Sequence, residues 1–403
     1  MSIKRWLPII ALIFYIGLVI RSSFLVALSI TLIVVFALAY WWQKNSLRGI
    51  EYHRRFHYTR AFPGEVHPVT LEIENRKLLP LTWLRVQDSW AEAVAPTDEG
   101  ILSPSHISGE GLLVHVMSLR WYERTLRRYE LLFRKRGVYK IGPVRIASGD
   151  MFGMYERVDD LALFEDLTIF PRLAPIQDMD LPPENPFGDQ RSRRRLFEDP
   201  NRPMGVREYH PEDSFRRVHW PATARTSRLQ VKVFQPTSAQ VLVVCLNVST
   251  YYRYWEGVYP ELLEHLLSLS ATLVSEGIQD GYRVGLISNG CLTNSDQPFR
   301  IPPGRSPKQL SHLLQALAGV TPVVTAPFEQ FLLREVPKVP YGATLLIVTA
   351  VTSPELSEIL LRLKKHERQI TLLSLAQDAP SILPGMKCIH LPFKEVVDEG
   401  LIV

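Results

Sequence analysis

The hydrophobic pattern of the chain begins with two almost uninterrupted apolar runs, Leu7–Ile20 and Phe24–Trp42, separated only by Arg21, Ser22 and Ser23. The second run is long enough to cross a bilayer, which takes about 20 residues. The first run is shorter and would cross where the bilayer thins locally. We therefore predict a two-helix transmembrane hairpin over residues 1–45.

The residues that flank these runs predict an orientation. Trp6 precedes the first run and Trp41 and Trp42 end the second, so a hairpin brings all three to one interface, as in an aromatic belt. Basic residues lie on the same side: Lys4, Arg5, Lys44, Arg48, Arg54 and Arg55. The positive-inside rule then predicts a two-pass protein of the cell membrane with both ends and the soluble domains in the cytoplasm. A signal peptide is the disfavoured alternative, because a second apolar run follows the first at once.

From about residue 46 to residue 180 the pattern changes to short stretches with a period of two. After a Pro-Gly-Glu turn, Val69, Leu71 and Ile73 alternate with polar residues. LTWLRVQDSW, GLLVHVMSLRW and EDLTIFPR continue as short strands, and no helical period interrupts them. This pattern predicts an antiparallel β-sandwich of immunoglobulin-like type over residues 46–180.

From residue 239 to residue 403, apolar strands alternate with amphipathic helices. VLVVCLNV, YRVGLIS, GATLLIVTAV and QITLLSLA have the composition of buried strands. PELLEHLLSLSATLVSEG, SPKQLSHLLQALAGV and SPELSEILLRLKKHE have helical periods, and the last of them offers Ser353 as N-cap. The alternation predicts an α/β domain with a doubly wound parallel sheet.

Residues 181–238 separate these two domains and begin with a linker rich in proline, arginine and acidic residues. Its RSRRR run could bind phosphates or lipid headgroups, although a solvated linker is the favoured interpretation. In GVREYHPEDSFRRVHWPATARTSRLQVKVF we expect Asp213 to cap a short helix, Arg216 to lie in its last turn and Trp220 to anchor the packing. Leu229, Val231 and Val233 are expected on one face of a strand. The mixed charges of the segment favour a structural ion-pair network over an anion site.

This segment closely resembles the signature of the family called domain of unknown function 58. The matching residues are Arg207, Glu208, Tyr209, Asp213, Arg216, Trp220, Ala224, Arg225, Leu229, Val231 and Lys232. A second segment of the chain also resembles the family, at Gly137, Gly142, Pro143, Asp150, Phe152 and Gly153. Glu212 and Met151 depart from it, since the family usually has Gly and Pro there. The resemblance implies two transmembrane segments, a β domain and a von Willebrand factor A-like C-terminal domain.

In von Willebrand factor A-type domains, side chains at the strand ends help to hold a divalent metal. Here Asn247, Ser249 and Tyr251 follow the first strand, and Thr349 ends a later one. A hard cation prefers carboxylate oxygens, and neither position supplies one. We therefore predict a degenerate metal site, whose polar residues either form a partner surface or cap and turn the chain.

Sequence motifs argue against most catalytic classes. The P-loop, zinc-protease, nucleophile-elbow and dinucleotide fingerprints are absent from the sequence, and Asp213 with His219 lacks a nucleophile. Cys245, Cys291 and Cys388 are too far apart for zinc or redox pairing, and His53 and His57 lack a third ligand. The net charge of +5 gives little support to nucleic-acid binding. We expect a non-enzyme without cofactor or metal.

The preferred hypothesis is a membrane-anchored, non-catalytic interaction protein or chaperone-like adaptor. The family resemblance implies a MoxR-type AAA+ ATPase as one partner and a membrane transglutaminase-like protein as another, with the bilayer contacted through the hairpin. An uncharacterised hydrolase and an anionic-lipid binding protein are the alternatives.

Overall fold

A computed structural model describes residues 7–151, 153–173, 197–210, 215, 218–237, 241–293, 295–380 and 384–393. The chain is a mixed α/β protein that divides into two compact units, Met1–Phe170 and Pro171–Val403. The first unit contains, in chain order, α1 (Leu7–Val19), α2 (Ser23–Ser46), β1 (Ile50–Phe56), β2 (Arg60–Ala61), β3 (Val66–Asn75), β4 (Leu81–Ala91), β5 (Val94–Pro96), β6 (Leu102–Pro104), β7 (Glu110–Leu119), β8 (Arg124–Phe133), β9 (Gly137–Ile141), β10 (Val144–Gly149), β11 (Glu156–Leu161) and β12 (Glu165–Ile169).

The two N-terminal helices differ in length. α2 has 24 residues, most of them apolar, so by length and composition it could cross a membrane or serve as a signal segment. α1 has 13 residues and is shorter than a typical span. The helices contact each other, and Gly17 allows a close approach, because a Cβ there would lie 2.9 Å from the Cβ of Leu25. The predicted apolar N-terminal helix is confirmed, while the two-pass topology stays a prediction.

The strands of the first unit form three sheets, ordered β1-β3-β8-β5, β11-β10-β4-β7-β6 and β2-β12-β9. One hydrophobic core joins them, with Trp90 and Phe133 as its largest buried side chains. Val69, Leu71 and Ile73 of β3 all belong to that core, as their alternation predicts. The predicted β-sheet structure is confirmed, and the immunoglobulin-like type stays a prediction.

The second unit contains β13 (Phe197–Glu208), α3 (Trp220–Thr226), β14 (Gln230–Thr237), β15 (Val241–Leu246), α4 (Pro260–Gln279), β16 (Arg283–Leu292), β17 (Ser295–Gly304), α5 (Gln309–Ala318), β18 (Val320–Val324), α6 (Phe328–Glu335), β19 (Thr344–Thr349), α7 (Pro354–Lys365), β20 (Gln369–Ser374) and β21 (Lys387–His390). β13 and β14 form a separate two-stranded sheet.

The main sheet of the second unit has the order β17-β16-β15-β19-β20-β21. The pairs β16–β15, β15–β19, β19–β20 and β20–β21 are parallel. β17 and β18 pair antiparallel with β16. Residues of α6 and α7 share a core with β15, β19 and β20, and α4 contacts β15, β16 and α5. Ser353 caps α7 as predicted, because its Oγ accepts a hydrogen bond from the Leu356 backbone N–H at 3.0 Å.

Candidate functional site

The candidate site lies at the carboxyl end of β15. β15 lies between β16 and β19, so the order of parallel strands reverses on either side of it. In open α/β sheets, ligands and partners bind in the crevice at such a switch point. Residues 247–259 connect β15 to α4 at this edge, and the Tyr259 backbone N–H donates to Thr250 Oγ1 at 2.7 Å to join the two ends of the connection.

Four buried polar side chains at this edge are joined by hydrogen bonds into one network. Asn247 Nδ2 donates to Thr349 Oγ1 at 3.0 Å, which joins the ends of β15 and β19. Asn289 Nδ2 donates to Asn247 Oδ1 at 3.0 Å and lies 3.4 Å from Ser249 Oγ, which joins β16. Asn289 Oδ1 accepts from the backbone N–H of Val248 at 2.9 Å. Three neighbouring strand ends are therefore held by neutral groups.

A divalent cation does not fit this arrangement. Asn247 Oδ1 already accepts from Asn289 and from the Ser249 backbone N–H at 3.0 Å. Thr349 Oγ1 donates to the Val351 carbonyl oxygen at 2.8 Å and also accepts from Asn247. Hard cations need several free oxygen ligands, and these oxygens already take part in hydrogen bonds within the network. Across the described residues, no group of three or more His, Cys, Asp or Glu side chains is placed to hold a metal ion.

The structure thus brings together three of the four residues predicted at the strand ends. Asn247, Ser249 and Thr349 are buried and act as the turn and cap residues of one hydrogen-bonded network. Tyr251 lies apart from it and is exposed. Asn289 completes the network and was not predicted, although an Asn directly after the apolar run VGLIS is a signal for it.

The solvent-facing part of the site is an aromatic loop, Tyr251–Trp255. Tyr252 and Trp255 are 62% and 68% exposed, which is unusual for residues of this size. The Tyr252 hydroxyl donates to Glu355 in the first turn of α7 at 3.1 Å, and this bond to a carboxylate raises the pKa of Tyr252. The ring of Tyr254 packs edge-on against Trp255 at 5.1 Å. The loop therefore exposes aromatic rings whose positions are fixed by these contacts.

The family signature segment forms the β13–β14 ribbon and α3. His219 caps α3, because its Nδ1 accepts from the Ala222 backbone N–H at 3.1 Å. Arg228 pairs with Glu208 at 2.9 Å on the exposed side of the ribbon, and Arg207 donates to the Glu208 carbonyl oxygen. Tyr209 lies 5.3 Å from the Phe215 ring.

Two predictions for this segment have different outcomes. Trp220 is not a packing anchor: it is the first residue of α3, and it is 64% exposed. Leu229 precedes β14 and is exposed, but Val231 is buried and Val233 is half-buried, with the exposed Lys232 between them, so the predicted alternation holds within the strand. Ala224 and Arg225 lie on the exposed part of α3. Asp213 and Arg216 lie outside the described residues.

The remaining candidates belong to the structural framework. His53 lies within β1 and contacts Glu51 at 3.3 Å, while His57 follows the end of that strand. Burial raises the pKa of the Cys245 thiol, which makes it unreactive. In the second family segment, Asp150 Oδ1 accepts from the Tyr155 backbone N–H at 2.6 Å and closes a turn, while Phe152 lies outside the described residues.

Sequence reasoning did not predict a buried charged group in the first unit. Arg54 donates to both carboxylate oxygens of Asp88, at 2.6 and 2.9 Å, and Tyr52 donates to Asp88 at 2.6 Å. Gly142 packs against this group, since a Cβ there would lie 2.1 Å from the Leu163 carbonyl oxygen and 3.2 Å from Arg54. This explains why the second family segment has glycine at this position.

Comparison with known proteins confirms the predicted resemblance. Residues 205–388 match the sequence model described as "Protein of unknown function DUF58". The chain is also similar to the uncharacterized protein YeaD of Bacillus subtilis (strain 168), at 23% identity over 273 residues. That alignment covers 68% of this chain and 63% of YeaD.

Solved structures show only limited likeness to the chain. Spo0M, a sporulation control protein from Bacillus subtilis, is 13% identical, with 30% of this chain and 50% of that chain covered and a TM-score of 0.19. A PapD-like domain of human CEP192 is 17% identical, with 29% and 84% covered and a TM-score of 0.17. Neither likeness bears on function.

Proposed function

We propose that this chain is a membrane-anchored, non-catalytic adaptor that works with a MoxR-type AAA+ ATPase. The observation that carries the proposal is the aromatic loop Tyr251–Trp255, held exposed at the switch point of the sheet. Exposed Tyr, Trp and Arg side chains are the residue types that dominate binding energy at protein interfaces. Arg253 lies 6.0 Å from the Trp255 ring centroid and adds the third of these types.

The hydrogen-bonded network at the carboxyl end of β15 supports the same proposal. Because Asn247, Asn289 and Thr349 are hydrogen-bonded to each other, the loop is positioned without a cation. We propose a von Willebrand factor A-like fold for this unit, in which amides take the positioning role of the metal. The parallel order β16-β15-β19-β20-β21 supports that assignment.

The apolar helices support the membrane part of the proposal. α2 is long enough to span a bilayer, and α1 lies against it. We propose that the two form a two-pass hairpin with both ends and the soluble units in the cytoplasm, where an ATPase would meet them. A membrane transglutaminase-like protein is proposed as a further partner of the assembly.

The test is a pull-down of the tagged full-length chain from detergent-solubilised membranes, with and without ATP and Mg²⁺. Partners are identified by mass spectrometry. Tyr252→Ala with Trp255→Ala should abolish recovery of the ATPase, because the two rings supply the exposed contact area. Tyr341→Ala is the matched control, since Tyr341 is 53% exposed and precedes β19 at the opposite edge of the sheet. Equal recovery from both variants would refute the aromatic loop as the binding site.

A further inference from the structure

Three turns of the first unit lie at the same end of its sheets. Their described residues are 76–80 between β3 and β4, 120–123 between β7 and β8, and 150, 151 and 153–155 between β10 and β11. The strand register places them together, because Leu81 at the start of β4 pairs with Leu119 at the end of β7, and Leu84 pairs with Ser148 near the end of β10.

This end of the sheets is attached to the last turn of α2. Lys77 Nζ donates to the carbonyl oxygens of Ser46 and Arg48, the latter at 2.7 Å. On the other side of the helix end, Gln43 Nε2 donates to the Glu156 carbonyl oxygen at 3.0 Å. Arg157 Nη1 likewise donates to the Lys44 carbonyl oxygen at 2.8 Å. The sheets are thus held at the level of residues 43–48, directly after the apolar run of α2 ends.

The first two turns are also fixed to each other. Asn75 Nδ2 donates to the carbonyl oxygens of Leu79 at 3.0 Å and Arg120 at 2.8 Å, so one buried amide joins the first two turns. The Tyr122 backbone N–H donates to the Lys77 carbonyl oxygen at 3.3 Å. In the third turn, Asp150 holds the backbone at Tyr155. These contacts make the tips a preformed surface.

Large apolar side chains project from all three tips. Leu78 is 72% exposed and Trp121 is 60% exposed, and Tyr122 and Met151 are also exposed. Arg120 is an exposed cation of the same turns, whereas Arg76 is exposed but pairs with Glu51 at 2.8 Å and Glu74 at 3.2 Å. Trp and Tyr rings prefer the membrane–water interface, where cationic side chains also find lipid phosphates.

We propose that Leu78, Trp121, Tyr122 and Met151 form a membrane-seating surface that rests in the headgroup region of the bilayer crossed by α2. This inference rests on the membrane anchoring in the proposed function. The occupant is lipid rather than a protein partner, because the surface is continuous with the end of the anchor. A bilayer that ends near Trp42 necessarily lies beside residues 43–48 and the turns bonded to them. Seating fixes the orientation of the first unit above the membrane.

The experiment uses full-length chain reconstituted into vesicles made with brominated phospholipids. Cys388, the exposed cysteine, is first replaced by Ser, and an environment-sensitive fluorophore is attached to one introduced cysteine at a time. The positions are Trp121→Cys at the tips, Val34→Cys within α2, and Ile107→Cys as the matched control. Ile107 is 59% exposed in the turn before β7, at the opposite end of the same sheets.

We expect loss of fluorescence at positions 34 and 121 and none at position 107. Quenching at 34 without quenching at 121 would overturn the seating surface and leave the anchor standing. No quenching at 34 would instead overturn the anchoring, and the seating surface with it.

A second variant guards against a local effect of the cysteine at 121. With the label at Leu78→Cys, Trp121→Glu should reduce quenching, because a carboxylate is expelled from the headgroup region. Unchanged quenching at 78 would contradict a shared surface.

Discussion

The two units hold their interiors together with different chemistry. In the first unit, Arg54 and Tyr52 of β1 bond to Asp88 of β4, so a buried ion pair joins two facing sheets. In the second unit, Asn247, Asn289 and Thr349 join three adjacent strand ends of one sheet with neutral amide and hydroxyl groups. Both groups are buried and hydrogen-bonded, but only the first carries charge.

This difference teaches how each unit uses its buried polar residues. A buried ion pair is strongly destabilising when one partner is lost, because the other charge remains without solvent or counterion. It therefore enforces one alignment of the two sheets. A neutral network costs less to bury and leaves no charge at the strand ends. The edge that supports the aromatic loop is thus held by neutral hydrogen-bonding groups.

The largest expected effect comes from breaking the ion pair. Asp88→Asn should lower the free energy of unfolding by roughly 3–5 kcal/mol, because Arg54 stays buried and loses the carboxylate to which its Nε and Nη2 donate. Thermal unfolding of the detergent-solubilised chain, followed by circular dichroism, measures the change. Asp160→Asn is the matched control. Asp160 pairs with Arg145 at 2.7 Å in an exposed position, so its loss should cost at most about 1 kcal/mol. Equal losses in the two variants would contradict the charged framework.

A smaller effect is expected from opening the neutral network. Asn289→Ala removes the donor to Asn247 and the acceptor of the Val248 N–H, and should cost roughly 1–3 kcal/mol. The same unfolding measurement applies, with the exposed Ser295→Ala as control. A loss as large as that of Asp88→Asn would mean that the two networks do not differ in the way described.

Restoring a carboxylate sharpens the comparison further. Asn247→Asp keeps the shape of the side chain but removes the donor to Thr349 and places an acid in a buried site, and should cost at least roughly 1–3 kcal/mol at neutral pH. Burial favours the protonated acid, so the folded-state pKa of the new group is raised, and the loss of stability grows as pH rises through it. Mg²⁺ should not restore the unfolding temperature, because Thr349 supplies no second carboxylate. Recovery with Mg²⁺ would show a latent metal site.

The regular elements of the second unit could be predicted because their signals are local. The apolar runs of β15, β16, β19 and β20 and the periods of α4, α5 and α7 are visible in short windows. β17 was missed because Pro298, Pro302 and Pro303 obscure its alternation, and α6 because it spans only two turns. β17 is specified by its pairing with β16, and α6 is specified by its packing against the sheet.

The sites were harder to predict than the fold. Asn247 and Thr349 were identified from their positions after strands, but their partner Asn289 depends on which strands are neighbours. The pairing of Arg54 with Asp88 joins residues far apart in sequence and on different sheets, so no local pattern indicates it. The aromatic loop had a clear compositional signal, five aromatic residues between Tyr251 and Tyr259, whose exposure depended on the fold.

The last expected effect is on the pH dependence of stability and concerns a half-buried cation, Lys77. Its ammonium group bonds to backbone carbonyl oxygens at the end of α2, and burial lowers its pKa from 10.5 to about 8. The unfolded chain then binds more protons than the folded chain between these values, so this lysine makes stability rise from about pH 8 to pH 10.5. Lys77→Met should flatten that part of the pH profile of the unfolding temperature, whereas Lys135→Met, at an exposed position, should leave it unchanged. An unaltered slope in Lys77→Met would mean that this ammonium group is solvated rather than buried against the helix end. Of the two cations Arg54 and Lys77, only Arg54 would then be held away from water.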